Sequence, residues 1–169
     1  ALEMKLRGDF LVNTLYGTNY GRPPLLNWTL IALCDFLGWE HVLAASRSIA
    51  AGATIATGLV LGWLVAALTR ERLFAAFAAL VYLTSDALLY HGWLAYSDPV
   101  FTLCIFGAIA CLWVSVRRRR GMLLWVAALL LACGFLTKEQ TAYVYYGVAF
   151  TALLLQRDAR AYLFGVNSV

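Results

Sequence analysis

Long apolar stretches, separated by short polar turns, account for most of this chain. The clearest apolar stretches are at about residues 48–68, 73–94, 99–116, 121–137 and 140–155. Each is close to the roughly 20 residues that cross about 30 Å of hydrocarbon as a helix. They are rich in Ala and Leu and lack the alternation typical of strands. The pattern therefore predicts an all-α fold, a polytopic transmembrane helical bundle of about five spans with short interfacial helices and no β-structure.

The N-terminal part of the chain has a different pattern. Residues 1–24 mix polar and apolar positions, and residues 25–39 follow two prolines, which suits the first turn of a helix. Asp35 and two tryptophans in that segment favour a position at the membrane interface. We therefore expect two parts, an exoplasmic loop with interfacial helices at 1–41 and the helical bundle at 42–169.

Composition supports a membrane protein. Hydrophobic residues make up 63% of the chain and charged residues 13%, whereas soluble domains have about 45–50% and about 25%. The net charge of +4 would suggest nucleic-acid binding in a soluble protein, but here membrane topology explains it and no nucleic-acid partner is expected. Because the chain starts at Ala1 without a signal-peptide pattern, we expect a fragment or a processed chain.

The basic residues are unevenly distributed between the two ends of the predicted spans. One side carries eight of the thirteen basic residues and two of the nine acidic residues. These eight are Arg70, Arg72, Arg117, Arg118, Arg119, Arg120, Arg157 and Arg160. The positive-inside rule makes that side cytoplasmic. Residues 1–41 and the turns at 91–98 and 137–140 are then predicted on the exoplasmic face.

Arg22 is the first candidate functional residue on the exoplasmic side. It lies directly before Pro23 and Pro24, so a cation is placed on a stiff backbone just ahead of a helix N-terminus. This arrangement is typical of an anion site. An interfacial arginine that extends towards lipid headgroups would show the same pattern.

Two further exoplasmic turns carry charged side chains. Asp98 precedes Pro99, which is typical of a helix N-cap, but a carboxylate there could also act as a metal ligand or a base. Lys138 and Glu139 interrupt an apolar region. Their turn is so short that Lys138 is expected near the hydrocarbon boundary, where lipid phosphates lie. A simple solvated turn is the alternative.

Asp86 is predicted inside a span, where a carboxylate is costly and indicates a functional residue by default. Arg47 is a plausible partner at similar depth, so a structural ion pair is the leading alternative. A transporter would use such a pair as part of a pathway. It would also need polar residues stacked through the membrane, and the stretches at 99–116 and 121–136 contain almost none.

Four short motifs occur in an order found in a known enzyme family. Residues 3–10 read EMKLRGDF, 21–28 read GRPPLLNW, 97–99 read SDP and 134–139 read GFLTKE. Together they resemble the polyprenyl-phosphate-dependent glycosyltransferases of the C-type fold, in particular the bacterial lipid A aminoarabinose transferases and the protein O-mannosyltransferases. All four motifs lie on the predicted exoplasmic face, and the resemblance covers nearly the whole chain.

The resemblance implies a membrane enzyme that moves a sugar from a polyprenyl-phosphate carrier to an exoplasmic acceptor. It assigns contacts with the carrier phosphate to Arg22 and Lys138, and an active-site role in catalysis, metal binding or acceptor binding to Asp98. Tyr20, Glu139 and His91 are further candidates for substrate binding. The implied partners are the lipid-linked sugar, the bilayer and other membrane proteins. The implied cofactor is a divalent metal ion, with no organic cofactor, and the implied location is a bacterial inner membrane with the site facing the periplasm.

This chain departs from the family pattern at two points. The family often has Glu where this chain has Gly21, which removes one potential metal ligand. The acidic pair that ends the first helix of the family, and supplies its proposed base, would lie several residues before Ala1. A non-catalytic subunit or scaffold built on the same fold therefore stays an alternative.

Overall fold

The computed structural model describes residues 1–19, 21–85, 88 and 94–165. Helices dominate this part of the chain, as the apolar pattern predicts. Their bounds are α1 Leu2–Arg7, α2 Leu25–Leu37, α3 Val42–Thr69, α4 Arg72–Leu83, α5 Asp98–Arg118, α6 Met122–Lys138, α7 Thr141–Leu154 and α8 Arg157–Leu163, with a 3-10 turn at Trp39–His41.

A small β-hairpin lies in the N-terminal segment, outside the apolar stretches for which helices are predicted. Strand β1 (Thr14–Leu15) pairs antiparallel with β2 (Thr18–Asn19). Tyr16 and Gly17 form the turn with φ angles of 51° and 79°, and two positive φ angles are what a two-residue hairpin turn requires. Gly17 is the sequence signal for this turn, but two-residue strands are too short to show alternation.

Two of the described helices are long and apolar enough to cross a membrane, the continuous helical stretch Trp39–Thr69 and α5. Helices α4, α6 and α7 are shorter apolar helices of 12, 17 and 14 residues. Large apolar side chains cover the outside of the bundle, including Leu73, Phe77, Trp125 and Leu129, each more than 60% exposed. Such an exterior suits lipid contact and would be unfavourable in water.

Helix α4 packs antiparallel against α3 through glycines. A side chain at Gly58 would collide with Leu83, and one at Gly62 would lie 3.2 Å from the carbonyl oxygen of Ala75. Because these positions lack a Cβ, the two helices approach closely. A short contact of this kind fixes the position of α4 along α3.

Helix α4 ends at Leu83, so only the first part of the apolar stretch predicted at about 73–94 forms this helix, and most of the second part lies outside the described residues. The hydroxyl group of Thr84 donates a hydrogen bond to the carbonyl oxygen of Leu80 at 2.8 Å. The backbone N–H of Ser85 donates to the carbonyl oxygen of Tyr82 at 3.2 Å. The same threonine-to-carbonyl hydrogen bond occurs at Thr54 and Thr57 within α3, which continues past both residues; it therefore accompanies the end of α4 and does not by itself cause it. Asp86, the predicted partner of Arg47, lies outside the described residues.

Helices α5 and α6 form the central antiparallel pair. Helix α5 is the most buried of the described apolar helices, and eleven of its residues are buried inside the protein. Gly134 of α6 lies against Ile105 of α5, and Leu112 of α5 packs with Leu153 and Ala159 from α7 and α8. The pair therefore forms a rigid support for the residues at its two ends.

Candidate functional site

The α5–α6 hairpin places two of the predicted functional residues at the same end of the bundle. Asp98 is the first residue of α5 and Lys138 is the last residue of α6. Because the helices are antiparallel, these two ends are neighbours although the residues are 40 positions apart. The ammonium group of Lys138 donates to Oδ1 of Asp98 and lies 5.3 Å from the centre of the Phe101 ring.

The interpretation of Asp98 as the N-cap of this helix is wrong. Ser97 occupies the N-cap position, and neither residue makes a side-chain capping hydrogen bond in this structure. The carboxylate of Asp98 is instead directed to Lys138, and the Asp98 side chain is 62% exposed. The requirement for a cap therefore does not account for a carboxylate at this position.

Arg22, from the N-terminal segment, lies at the same end of the bundle as Asp98 and Lys138. It lies in the irregular stretch between β2 and α2, next to Gly21, whose φ of 61° is in the left-handed region. The N–H of Gly21 donates to Oδ1 of Asn19 at 2.9 Å. The hydrogen bond and the two prolines that follow leave this stretch little conformational freedom.

One cavity of about 590 Å³ is shared by these residues. Its wall includes Arg22 from the N-terminal segment, Tyr96 and Asp98 from the start of α5, and Lys138 and Glu139 from the end of α6. The structure thus brings the three predicted exoplasmic segments together around one space. The binding roles of the individual residues stay predictions.

Glu139 has a strained backbone at the edge of this cavity. Its φ of 52° and ψ of −133° are rarely adopted by residues other than glycine and cost about 1–3 kcal/mol. This conformation ends α6 directly after Lys138, so that the lysine is the last helical residue. Glu139 lines the shared cavity and an adjoining one.

Apolar cavities lie on either side of the shared cavity. One, of about 380 Å³, is lined by Arg22 and Glu139 together with apolar residues that include Pro24, Phe135 and Leu136. The other, of about 390 Å³, lies between α3, α4 and α5 and has Asp98 in its wall. A charged centre flanked by apolar spaces suits an amphipathic ligand.

Two of the predicted substrate contacts, Tyr20 and His91, lie outside the described residues. The divalent metal ion stays a prediction for the residues that are described. Among them no group of three His, Cys, Asp or Glu side chains converges, and the cavity wall contains two carboxylates, from Asp98 and Glu139. Mg²⁺ is usually held by one or two carboxylates together with substrate phosphates and waters, so these side chains would suit an ion that a substrate phosphate helps to bind.

Sequence reasoning missed Asn13, which lies beneath the Arg22 stretch and is 7% exposed. Its side-chain amide donates to the backbone carbonyl oxygens of Arg22 and Pro23. A single asparagine in a polar segment has no spacing that distinguishes it from a solvated residue. Its hydrogen bonds depend on the tertiary fold.

The chain is similar in sequence to known proteins over most of its length. The sequence profile of the family described as dolichyl-phosphate-mannose-protein mannosyltransferase matches residues 11–161. Several curated relatives are named undecaprenyl phosphate-alpha-4-amino-4-deoxy-L-arabinose arabinosyl transferase. The one from Edwardsiella ictaluri is 32% identical over 80% of this chain and 25% of its own length. The one from Pseudomonas aeruginosa is 31% identical over 95% of this chain and 30% of its own length.

This chain therefore spans about a quarter of the length of the curated relatives that it matches. No solved structure is significantly similar to it.

Proposed function

The chain belongs to the dolichyl-phosphate-mannose-protein mannosyltransferase family of polytopic helical membrane proteins, and from this membership we propose that it forms the carrier-binding region of a glycosyltransferase. The enzyme would take a sugar from a polyprenyl-phosphate carrier in a bacterial inner membrane and transfer it to an acceptor on the periplasmic face. The observation that supports this most directly is the cavity shared by Arg22, Asp98 and Lys138.

The reaction explains why two cations are needed. The bond between the anomeric carbon of the sugar and a phosphate oxygen breaks, and a bond from that carbon to the acceptor oxygen forms. The carrier leaves as a phosphate monoester and gains negative charge. Preorganised donors at the position of developing charge are the usual main source of stabilisation, and Arg22 and Lys138 would supply them.

The remaining groups suit the acceptor and the carrier tail. The acceptor hydroxyl loses its proton as it attacks, and a carboxylate that faces the cavity, such as Asp98, could accept it. The apolar cavity beside Arg22 would accommodate the part of the carrier next to the phosphate. The relatives are named for undecaprenyl phosphate and an aminoarabinose, so an amino-sugar donor on an undecaprenyl carrier is the substrate that we propose first.

Binding of the carrier phosphate tests the proposal. Undecaprenyl phosphate is titrated against the complete protein in nanodiscs of uncharged lipid. Arg22→Ala and Lys138→Ala should each weaken binding about 10- to 100-fold, since each removes a charge-assisted contact of about 1.5–3 kcal/mol. Arg22→Lys should be intermediate because an ammonium group lacks the bidentate fork of a guanidinium group.

Arg72→Ala is the matched control, because it removes an arginine at the opposite end of the bundle, at the start of α4. Its binding should equal that of the wild type. Normal binding by both Arg22→Ala and Lys138→Ala would refute the proposal, since these residues would then be ordinary interfacial cations.

A further inference from the structure

The two prolines of the Arg22 stretch cannot anchor it through N–H groups. Pro23 and Pro24 have no N–H, so the backbone of these residues can be anchored only through carbonyl oxygens. The side-chain amide nitrogen of Asn13 lies 2.6 Å from the carbonyl oxygen of Arg22 and 3.2 Å from that of Pro23. One side chain therefore holds the carbonyl groups of two consecutive residues, Arg22 and Pro23.

The orientation of the Asn13 amide follows from its partners. Backbone carbonyls only accept hydrogen bonds, so the NH₂ group must face them and the oxygen must face away. That oxygen accepts a hydrogen bond from the side-chain amide of Asn27 at 2.6 Å. Asn27 lies in the first turn of α2, so the network connects the Arg22 stretch to a helix.

The network is largely shielded from water. Asn13 is 7% exposed, and Asn27 also points an amide hydrogen at the sulfur of Met4, 3.5 Å away. Met4, from α1, is 1% exposed. Buried polar groups that lose a partner cost about 1–3 kcal/mol. We therefore expect that a change at Asn13 moves the backbone at Arg22, because water has little access to replace the lost hydrogen bonds.

We infer that Asn13 is a positioning residue for Arg22, with Asn27 as its support, and that this pair sets the affinity of the enzyme for the carrier phosphate. The inference rests on the proposed function, because it concerns the group that Arg22 binds. Asn13 also lines the cavity of about 380 Å³ beside Arg22, so the double variant described below separates its action through the guanidinium group from a direct contact with the carrier.

Asn13→Asp tests this inference because it keeps the shape of the side chain and replaces the NH₂ donor by an oxygen that only accepts hydrogen bonds. A carboxylate would face two carbonyl oxygens with no proton to donate, so the Arg22 stretch should shift. We expect binding of undecaprenyl phosphate in nanodiscs of uncharged lipid to weaken about tenfold. In a transfer assay, the KM for the lipid-linked sugar should rise by a similar factor while the KM for the acceptor stays unchanged.

The double variant Asn13→Asp/Arg22→Ala separates positioning from general support of the fold. If Asn13 acts through Arg22, the aspartate should change binding less than twofold once the guanidinium group is gone. Equal weakening in both backgrounds would overturn the inference. Asn13→Gln keeps both hydrogen-bonding groups and should lose only about threefold, which provides a folded variant if Asn13→Asp is poorly produced.

Thr29→Val is the control on α2, since the Thr29 hydroxyl bonds only within its own helix, to the carbonyl oxygen of Leu26. It should bind the carrier as the wild type does. If Arg22→Ala weakens binding and Asn13→Asp does not, the inference alone fails. If Arg22→Ala itself binds normally, the proposed function fails.

Discussion

The ion pair between Lys138 and Asp98 joins the cation that we propose binds the carrier phosphate to the carboxylate that we propose accepts the proton of the acceptor. Both side chains are partly exposed, 37% and 62%, and exposed ion pairs are worth only about 0–1 kcal/mol. An incoming phosphate can therefore displace Asp98 from Lys138 at little cost. The pair holds both side chains at the cavity wall.

A second ion pair fixes the N-terminal helix α1 to α2. The ammonium group of Lys5 donates to Oδ1 of Asp35, and the indole N–H of Trp39 donates to the same oxygen at 3.0 Å. Lys5 also lies 5.4 Å from the centre of the Trp39 ring. The hydrogen bond from Lys5, supported by that from Trp39, lowers the pKa of Asp35 from its ordinary value of 3.8.

This shift predicts that α1 is docked less firmly in acid. A carboxyl group with a lowered pKa stabilises the docked state above its ordinary pKa, and that contribution is lost as pH falls through the lowered pKa. The effect is small because both side chains of the pair are partly exposed and Met4 of α1 stays buried. Hydrogen exchange at residues 5–8, which include the N–H groups that bond to α1 carbonyls, should therefore accelerate a few-fold below about pH 4. Asp35→Asn should show the faster exchange at both pH values. A wild-type protein with the same protection at pH 3 and pH 6, after correction for intrinsic rates, would contradict this role.

At the scale of elements, helix packing follows from the positions of small residues. Gly58 and Gly62 face α4, whereas Gly52 on the same helix is exposed and has no described atom near the position of a Cβ. The sequence has glycine at all three positions and does not show which of them faces a neighbour. The structure assigns the contact to Gly58 and Gly62.

Gly62→Leu should destabilise the bundle. Its Cβ would lie 3.2 Å from the backbone oxygen of Ala75 and 3.4 Å from the Cβ of Ala79, and backbone cannot move aside as a side chain can. Overpacking of this kind costs about 1–3 kcal/mol. Thermal unfolding in detergent should show a lower midpoint for Gly62→Leu and an unchanged or higher midpoint for the control Gly52→Leu. Equal midpoints would show that α4 does not depend on this contact.

Parts of the fold and the site could be predicted from the sequence because they depend on local composition. The charged turns at Asp98 and Lys138 are short polar interruptions of apolar chain, and Arg22 lies just before the first apolar helix. Consecutive antiparallel helices bring alternate turns to one face. The end of α4 at Leu83 falls inside an apolar stretch, so the apolar pattern does not show it. The role of Asn13 depends on contacts with Arg22 and Asn27, which no spacing along the chain reveals.

At the scale of the whole molecule, the two ends of the bundle differ in charge. One end carries Arg70, Arg72 and the arginine run at 117–120, while the other carries the cavity with both cations and carboxylates. The positive-inside rule orients the first end to the cytoplasm. The carrier-binding cavity would then face the periplasm, where the transfer is proposed to occur.

Accessibility of a single cysteine at Ser97 tests orientation and carrier binding together. Ser97 lines the cavity beside Asp98. In a variant whose four native cysteines are replaced, Ser97→Cys should react with a membrane-impermeant thiol reagent in intact spheroplasts, and undecaprenyl phosphate should slow that reaction several-fold. Undecaprenol, which lacks the phosphate, should leave the rate of that reaction unchanged. Arg119→Cys should react only after the membrane is permeabilised. Reaction of Arg119→Cys from outside, or a rate at Ser97→Cys that undecaprenyl phosphate leaves unchanged, would contradict a periplasmic cavity that binds the carrier phosphate.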